Sequence, residues 1–592
     1  MLAYKHITKW ISAGMGAAVL LCILLMLFPG KLKEVFGSSA VSMQYETELF
    51  QKDEIIKIDI RMESEDWEDM LANAIREEYY SCDLVVNGEK IYNVGIRPKG
   101  NTSLTAIASD PDTDRFSLKL EFDHYVDGQT CFGLDKLILN NNYADATNMK
   151  EAIVYDMYQY LDTDASLYNY AEISVNGEYW GVYLALEAVE DSFLLRNYGT
   201  EDGNLYKPES MGMGSGGANL NYMDDDPDSY SVIWEGEVVD TGRADHGRVV
   251  AALKEISRGS GLEEVLDVDN VLRYMAVHVF SVNMDSLSGN MAHNYYLYEY
   301  DGKLNILPWD YNLAFGGMGM GGTDSASGMV NDAIDTPFQG TDFFDPLLEN
   351  EEYCSRYHEY LRRLTEEYVD GGKFQETYSR IRSQIDELVE RDPTAFYSAQ
   401  EYETAAEMLY QTVLLRAESI RGQLDGRIPS TDDGQRKDSA ELVDASVIDV
   451  EAMGVFEMGG GKPFSRQGRE SGQEIPGEPQ EGQFGDFAPP QRPDGDFGDF
   501  DWPQRPGDNF GDSGRPQEPG NPFGNQDMPS MFENAPGEEA IPTMAGRQPG
   551  NYKWQNVIVL AAFLVTATGA LLLAKRYRRT RRPQSARFFI HF

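Results

Sequence analysis

The chain has 592 residues, with 50 Lys or Arg against 98 Asp or Glu, a formal net charge of -48 at pH 7. A field of that sign repels phosphate backbones, which excludes a nucleic-acid partner and favours basic protein partners. Four cysteines, Cys22, Cys82, Cys131 and Cys354, are widely spaced with no Cys-x-x-Cys pair, so at most one bridge and no zinc site are expected.

After a short segment over residues 1–10, the apolar run 11–28 is long enough to span a bilayer. It reads as a transmembrane helix or signal anchor, or as a signal peptide cleaved near Ser39-Ala40. Residues 53–427 have ordinary globular composition and form the main domain. Within it, 55–60 reads as a strand and 64–77 as a helix with Ser64 as its N-cap. Strands follow at 83–86, 92–97 and 116–122. The loop 97–103 between the last two is basic, small and polar. Its backbone N–H groups can approach phosphates closely, with Arg97 and Lys99 adding charge.

Alternation in 116–122 puts Lys119 on the face opposite Phe116, Leu118, Leu120 and Phe122. About thirty residues on, a helix starting near Asn148 carries Glu151 in its first turn. A strand lysine meeting a helix glutamate is the ion pair by which kinases set ATP phosphates; the plainer alternative is two solvated surface charges. Strands 170–175 and 181–186 form a hairpin through Asn176-Gly177, and the second runs into Glu187, where a kinase-like fold places its adenine hinge.

A helix over 271–282 leads to Asp285, followed by Asn290, the His293-Asn294 pair, a strand-turn-strand pattern through Asp301-Gly302, and Asp310. Asp and Asn beside strands are often turn formers. A nucleotide-dependent phosphotransferase, however, needs this supply of groups: one carboxylate for the acceptor hydroxyl, and oxygen ligands on a second segment for Mg²⁺. Helices at 352–369, 372–391 and 399–424 then read as a mostly α-helical lobe. Residues 428–550 form a disordered Pro/Gly/Asp/Phe-rich linker, in which 484–487 recurs as 497–500. A second apolar run, 557–574, precedes the basic tail 575–592, which belongs on the cytoplasmic side and leaves the main domain extracytoplasmic.

Five stretches in order, 95–103, 176–183, 203–207, 293–298 and 308–312, resemble the CotH family of spore-coat and surface proteins regarded as atypical protein kinases. The resemblance covers roughly 55–424. It implies an α+β, kinase-like two-lobed fold, here flanked by transmembrane segments and the disordered linker. It further implies transfer of the ATP γ-phosphate to Ser or Thr of a protein, with Mg²⁺ as cofactor. On this resemblance the catalytic residue is Asp285 and the metal ligand Asp310, with Asn290 or Asn294 as a further ligand. Arg97, Lys99, Lys119, Glu151, Glu187 and Lys207 are the expected nucleotide-binding residues. No His-Arg precedes Asp285 and no Asp-Phe-Gly occurs at Asp310. The expected acceptor is a surface or coat protein with Ser or Thr near basic residues, and two terminal spans tether the chain to the membrane. The alternative is a catalytically inactive surface protein with an adhesive or structural role.

Overall fold

Short runs of alternating apolar residues build a closed barrel of seven strands. These are β1 (Ile56–Arg61), β2 (Tyr80–Val86), β3 (Glu89–Lys99), β4 (Ser117–Glu121), β5 (Lys136–Asn140), β6 (Tyr168–Val175) and β7 (Glu178–Glu187). Their order around the barrel is β1-β2-β3-β4-β5-β7-β6, closed by parallel pairing of β1 with β6 at Ile58↔Ile173. Closure leaves no free edge. Ile58, Leu84, Ile96, Leu118, Leu139 and Ile173 fill the interior, each buried aliphatic chain contributing about 1.5–3 kcal/mol. Helix α1 (Ser64–Ala72) adds Trp67 and Met70 to this core. It is capped at Glu63 rather than Ser64 and stops short of the expected end, because a 3₁₀ turn at Ala74–Arg76 leads into Glu77 in the left-handed region (φ 49°).

The computed structural model describes residues 41–209, 215–289, 291–318 and 325–456. All belong to one compact unit, Met1–Pro476; the second, Gly477–Phe592, contains none of them. Both apolar runs, the basic tail and the linker beyond residue 456 therefore lie outside the described residues, among which no helix is long and apolar enough to cross a membrane. The mixed α+β class is as expected. Residues 428–456, assigned to the linker from composition, instead carry a short helix (Asp432–Lys437) and pack on the main body. Met453 is fully buried there, and Lys150 Nζ donates to Gly454 O at 2.8 Å.

The outer face of β5, β6 and β7 meets α2 (Lys150–Tyr160), most of whose residues are buried. A largely helical body continues beyond it, with α3 (Val268–Ser281), α4 (Glu351–Arg362), a π-helical turn at Arg363–Val369, α5 (Lys373–Glu390) and α6 (Ala399–Leu424). A three-stranded sheet, β10-β9-β8, lies in this body, formed by β8 (Asn204–Tyr206), β9 (Tyr295–Tyr300) and β10 (Lys303–Pro308). Buried charged groups join barrel and body at two places. Arg115, before β4, pairs with Asp392 at 2.8 Å, and Asp156 of α2 accepts from Tyr168 at 2.8 Å and from Tyr368 and Thr377 at 2.9 Å. Removing one partner of such a pair costs more than the pair contributes, because the other charge is left buried.

Candidate active site

The register of one hairpin creates the site. Strand β9 pairs antiparallel with β10 from Tyr300↔Lys303 to Tyr295↔Pro308, so the segment entering the hairpin and the segment leaving it emerge side by side. The turn uses Asp301 (φ 52°) and Gly302 (φ 83°), left-handed at both central positions as a tight hairpin requires. Asn283 then ties the two segments together: its Nδ2 donates to Asp310 O at 3.1 Å, and its Oδ1 accepts from Asp285 N at 3.2 Å.

The Asp285 carboxylate is held from two sides. His293 Nε2 lies 2.5 Å from Oδ1, and Asn294 Nδ2 donates to Oδ2 at 3.0 Å and to the Asp285 carbonyl at 2.8 Å. Burial pulls the His293 imidazole down, but the bond and charge of Asp285, helped by Asp310, raise it overall. Asn294 (φ 56°) and Asp310 (φ 62°) both sit in the left-handed region. Asn and Asp are the non-glycine residues that adopt such backbone most readily.

Beneath this loop is a buried network that no motif in the sequence marks. His278 of α3 contacts Ser288 Oγ at 2.7 Å and Ser286 Oγ at 3.1 Å through Nε2, and Tyr311 OH at 3.0 Å through Nδ1. Both serines donate to Asn283 O, at 2.8 and 3.0 Å. Burial lowers the His278 pKa to about 3, so the ring is neutral and acts as a fixed strut. A histidine at the end of an apolar helix is ordinary in sequence; only its partners mark it.

Charged groups from the barrel and α2 face the hairpin end. Lys99, the last residue of β3, lies 5.6 Å from the Trp309 ring and 3.5 Å from Asn140 Oδ1. Burial lowers its ammonium pKa, while Asp310 and Glu151 act against that. Glu151 accepts from Asn140 Nδ2 at 2.8 Å and from Tyr311 N at 3.2 Å, joining α2 to the backbone just past Asp310. Burial and the Asp310 charge raise its carboxyl. Asp310 is raised too, by burial and by Asp285, against the pull of Lys99, Lys207 and His293. Lys207, which burial alone would lower, is raised by Glu209, whose Oε1 accepts from Nζ at 2.8 Å. Among the described residues no hydrogen bond is donated to the Asp310 carboxylate. An acid so placed, facing two lysines, fits a hard cation and the phosphates it would carry.

Asp285, Asp310, Lys99, Glu151 and Lys207 are thus brought together, whereas other expected residues are not available. Lys119 does not meet Glu151: β4 pairs it with Arg97 and Ile138, and its ammonium is 2.7 Å from Glu190. The lysine near Glu151 is Lys99, two residues along the neighbouring strand. Glu187 is no open hinge, because its fully buried carboxylate accepts from Tyr45 OH at 2.5 Å, Arg196 Nη2 at 2.6 Å and Leu167 N at 3.0 Å. Arg97 is taken up by Glu77 at 2.6 Å and by the Tyr79 ring. Asn294 turns its amide nitrogen to Asp285, a positioning role rather than metal ligation, and Asn290 lies outside the described residues.

A family model described as CotH kinase protein matches residues 96–420. The chain is similar to inner spore coat protein H of Bacillus subtilis (strain 168), 24% identical over 312 residues that span 50% of this chain and 80% of that protein. Among solved structures, a HipA–HipB–operator DNA complex from Shewanella oneidensis MR-1 aligns with 52% of this chain and 59% of that one, less than two thirds of its length, at 13% identity and a TM-score of 0.25. Similarity at that level carries no argument.

Proposed function

The chain belongs to the CotH kinase family, and on that premise we propose that it is an atypical, two-lobed protein kinase that transfers the γ-phosphoryl group of ATP to Ser or Thr of a protein. The observation that carries this reading is the gathering of Asp285, Asp310, Glu151, Lys99 and Lys207 at one end of the β9–β10 hairpin, beneath the end of β3.

Each residue has a defined task. Asp285, oriented by His293 and Asn294, accepts the proton of the acceptor hydroxyl as its oxygen bonds to the γ-phosphorus. The bond from that phosphorus to the β–γ bridging oxygen breaks, and ADP leaves. Lys99 and Lys207 bind and orient the phosphates, and Glu151, acting through Asn140, keeps Lys99 facing them. Asp310 would hold Mg²⁺, which when bound neutralises charge on the phosphate oxygens. Site formation depends on the hairpin register, because both segments emerge from the same strand ends.

The curated relative is by name an inner spore coat protein, which supports a coat or surface location for this chain. The apolar runs 11–28 and 557–574 support a membrane tether with the main domain outside. The acidic excess favours acceptors in which Ser or Thr is flanked by Lys or Arg.

Purified protein incubated with Mg²⁺ and γ-labelled ATP tests the proposal. The expected result is saturable Mg·ATP binding and label transfer to a basic acceptor, both lost in Asp310→Ala while the melting temperature is retained. An Asp310→Ala protein that binds Mg·ATP as the wild type does, or a folded wild type that neither binds nor transfers, would overturn it in favour of an inactive surface protein.

A further inference from the structure

Away from this site, on the helical body, three side chains of metal-binding chemistry converge. Cys354 and His358 lie four residues apart on α4, a spacing that puts both on one face of a helix, and Asp335 approaches from the preceding loop. His358 Nε2 is 2.7 Å from Asp335 Oδ1 and 3.7 Å from Cys354 Sγ. Carboxylate and thiol therefore face the same ring nitrogen. A proton relay of the Cys-His-Asp kind would place them on opposite nitrogens, whereas ligands of one ion must point to a common centre.

We propose that Asp335, Cys354 and His358 form a binding site for a divalent ion of the zinc class, with its fourth position open to solvent. Thiolate, imidazole and carboxylate together are a borderline-soft donor set that suits zinc rather than magnesium or calcium. The distances support this. Zinc–sulfur and zinc–nitrogen bonds of about 2.3 and 2.05 Å set a tetrahedral edge of about 3.6 Å between the two donors, and the thiol–imidazole separation is 3.7 Å. The imidazole–carboxylate edge would be about 3.3 Å, so that pair has only to open from 2.7 Å.

The loop is already fastened at this spacing. Tyr357 of the same helix donates to Ile334 O at 2.9 Å, and Asp335 N donates to Ser430 O at 2.8 Å. The side chains of Asp335 and His358 are 25% and 24% exposed, which leaves an entry path for the ion. Sequence spacing pointed away from zinc because the three residues come from two elements and include one cysteine. The bound ion would clamp α4 to the 335 loop and, through Ser430, to the segment beyond α6.

The test uses the full chain, purified without a histidine tag, stripped with chelator and titrated with Zn²⁺ in excess Mg²⁺, so that the hard acidic surface is occupied. We expect one saturable equivalent, affinity reduced at least tenfold in Cys354→Ser and His358→Gln, and a zinc-induced rise in melting temperature confined to the wild type. With Co²⁺ as probe, a thiolate-to-cobalt charge-transfer band should appear in the wild type and in Cys22→Ser but not in Cys354→Ser. Asp335→Asn, nearly isosteric, provides a folded comparison should either α4 variant melt early without metal. Equal zinc affinity and stoichiometry in wild type and Asp335→Asn, no saturable zinc in the wild type, or a cobalt complex lacking the thiolate band would each overturn the proposal.

Discussion

Replacing Lys99 with Met and, separately, Lys119 with Met distinguishes the assignment read along the strand from the one built by the barrel. Lys99 ends β3 beside Asp310 and Glu151, whereas Lys119 is bound to Glu190. A buried ammonium about 4 Å from a phosphate charge contributes about 4 kcal/mol at an effective dielectric of 20. Because kcat/KM is measured from free enzyme and substrate, all of that, about 4 kcal/mol, is lost in Lys99→Met, a fall in kcat/KM on the order of 10³-fold. In Lys119→Met the broken pair is partly exposed, at 17% and 16%, and Glu190 retains Lys136. The loss there is about 1 kcal/mol of stability or less, with turnover nearly unchanged. Label transfer at saturating Mg²⁺ over a range of ATP concentrations, with a melting curve for each variant, measures both quantities. Equal losses of kcat/KM in the two variants, or a larger loss in Lys119→Met, would refute the argument from register.

Asp285→Asn should bind Mg·ATP like the wild type but transfer phosphate at a rate lower by about 10² or more, the range for a positioned base; wild-type transfer rates would remove Asp285 from the chemistry. His293 has its pKa raised in the folded chain, so its bond to Asp285 contributes stability that is fully present below the unfolded value of about 6.5 and is lost as pH rises through the higher folded value. The melting-temperature difference between wild type and His293→Gln should therefore shrink from pH 5.5 to pH 9, and a constant difference would show that the histidine does not titrate there. Protease added to intact cells should cut the Pro/Gly-rich segment and separate a folded main domain from the C-terminal apolar run; protection of that segment would reverse the proposed orientation.

What the sequence determined by itself was local. Asn176-Gly177 and Asp301-Gly302 announce their hairpins because left-handed backbone favours those residues, and α5 and α6 start and stop within a residue or two of their periodic patterns. The order Asp285, hairpin, Asp310 was legible for the same reason: one tight turn brings both acids to one end whatever the rest of the chain does.

Partners across long separations were decided only by the tertiary structure. Barrel closure and strand register put Lys99 rather than Lys119 near Glu151, and alternation along one strand carries no information about its neighbour's register. Tyr45, 142 residues away, closes on Glu187 and removes it from any hinge. His278 becomes a neutral strut, and Asp335 meets His358, because burial and packing, not residue type, set what each side chain faces.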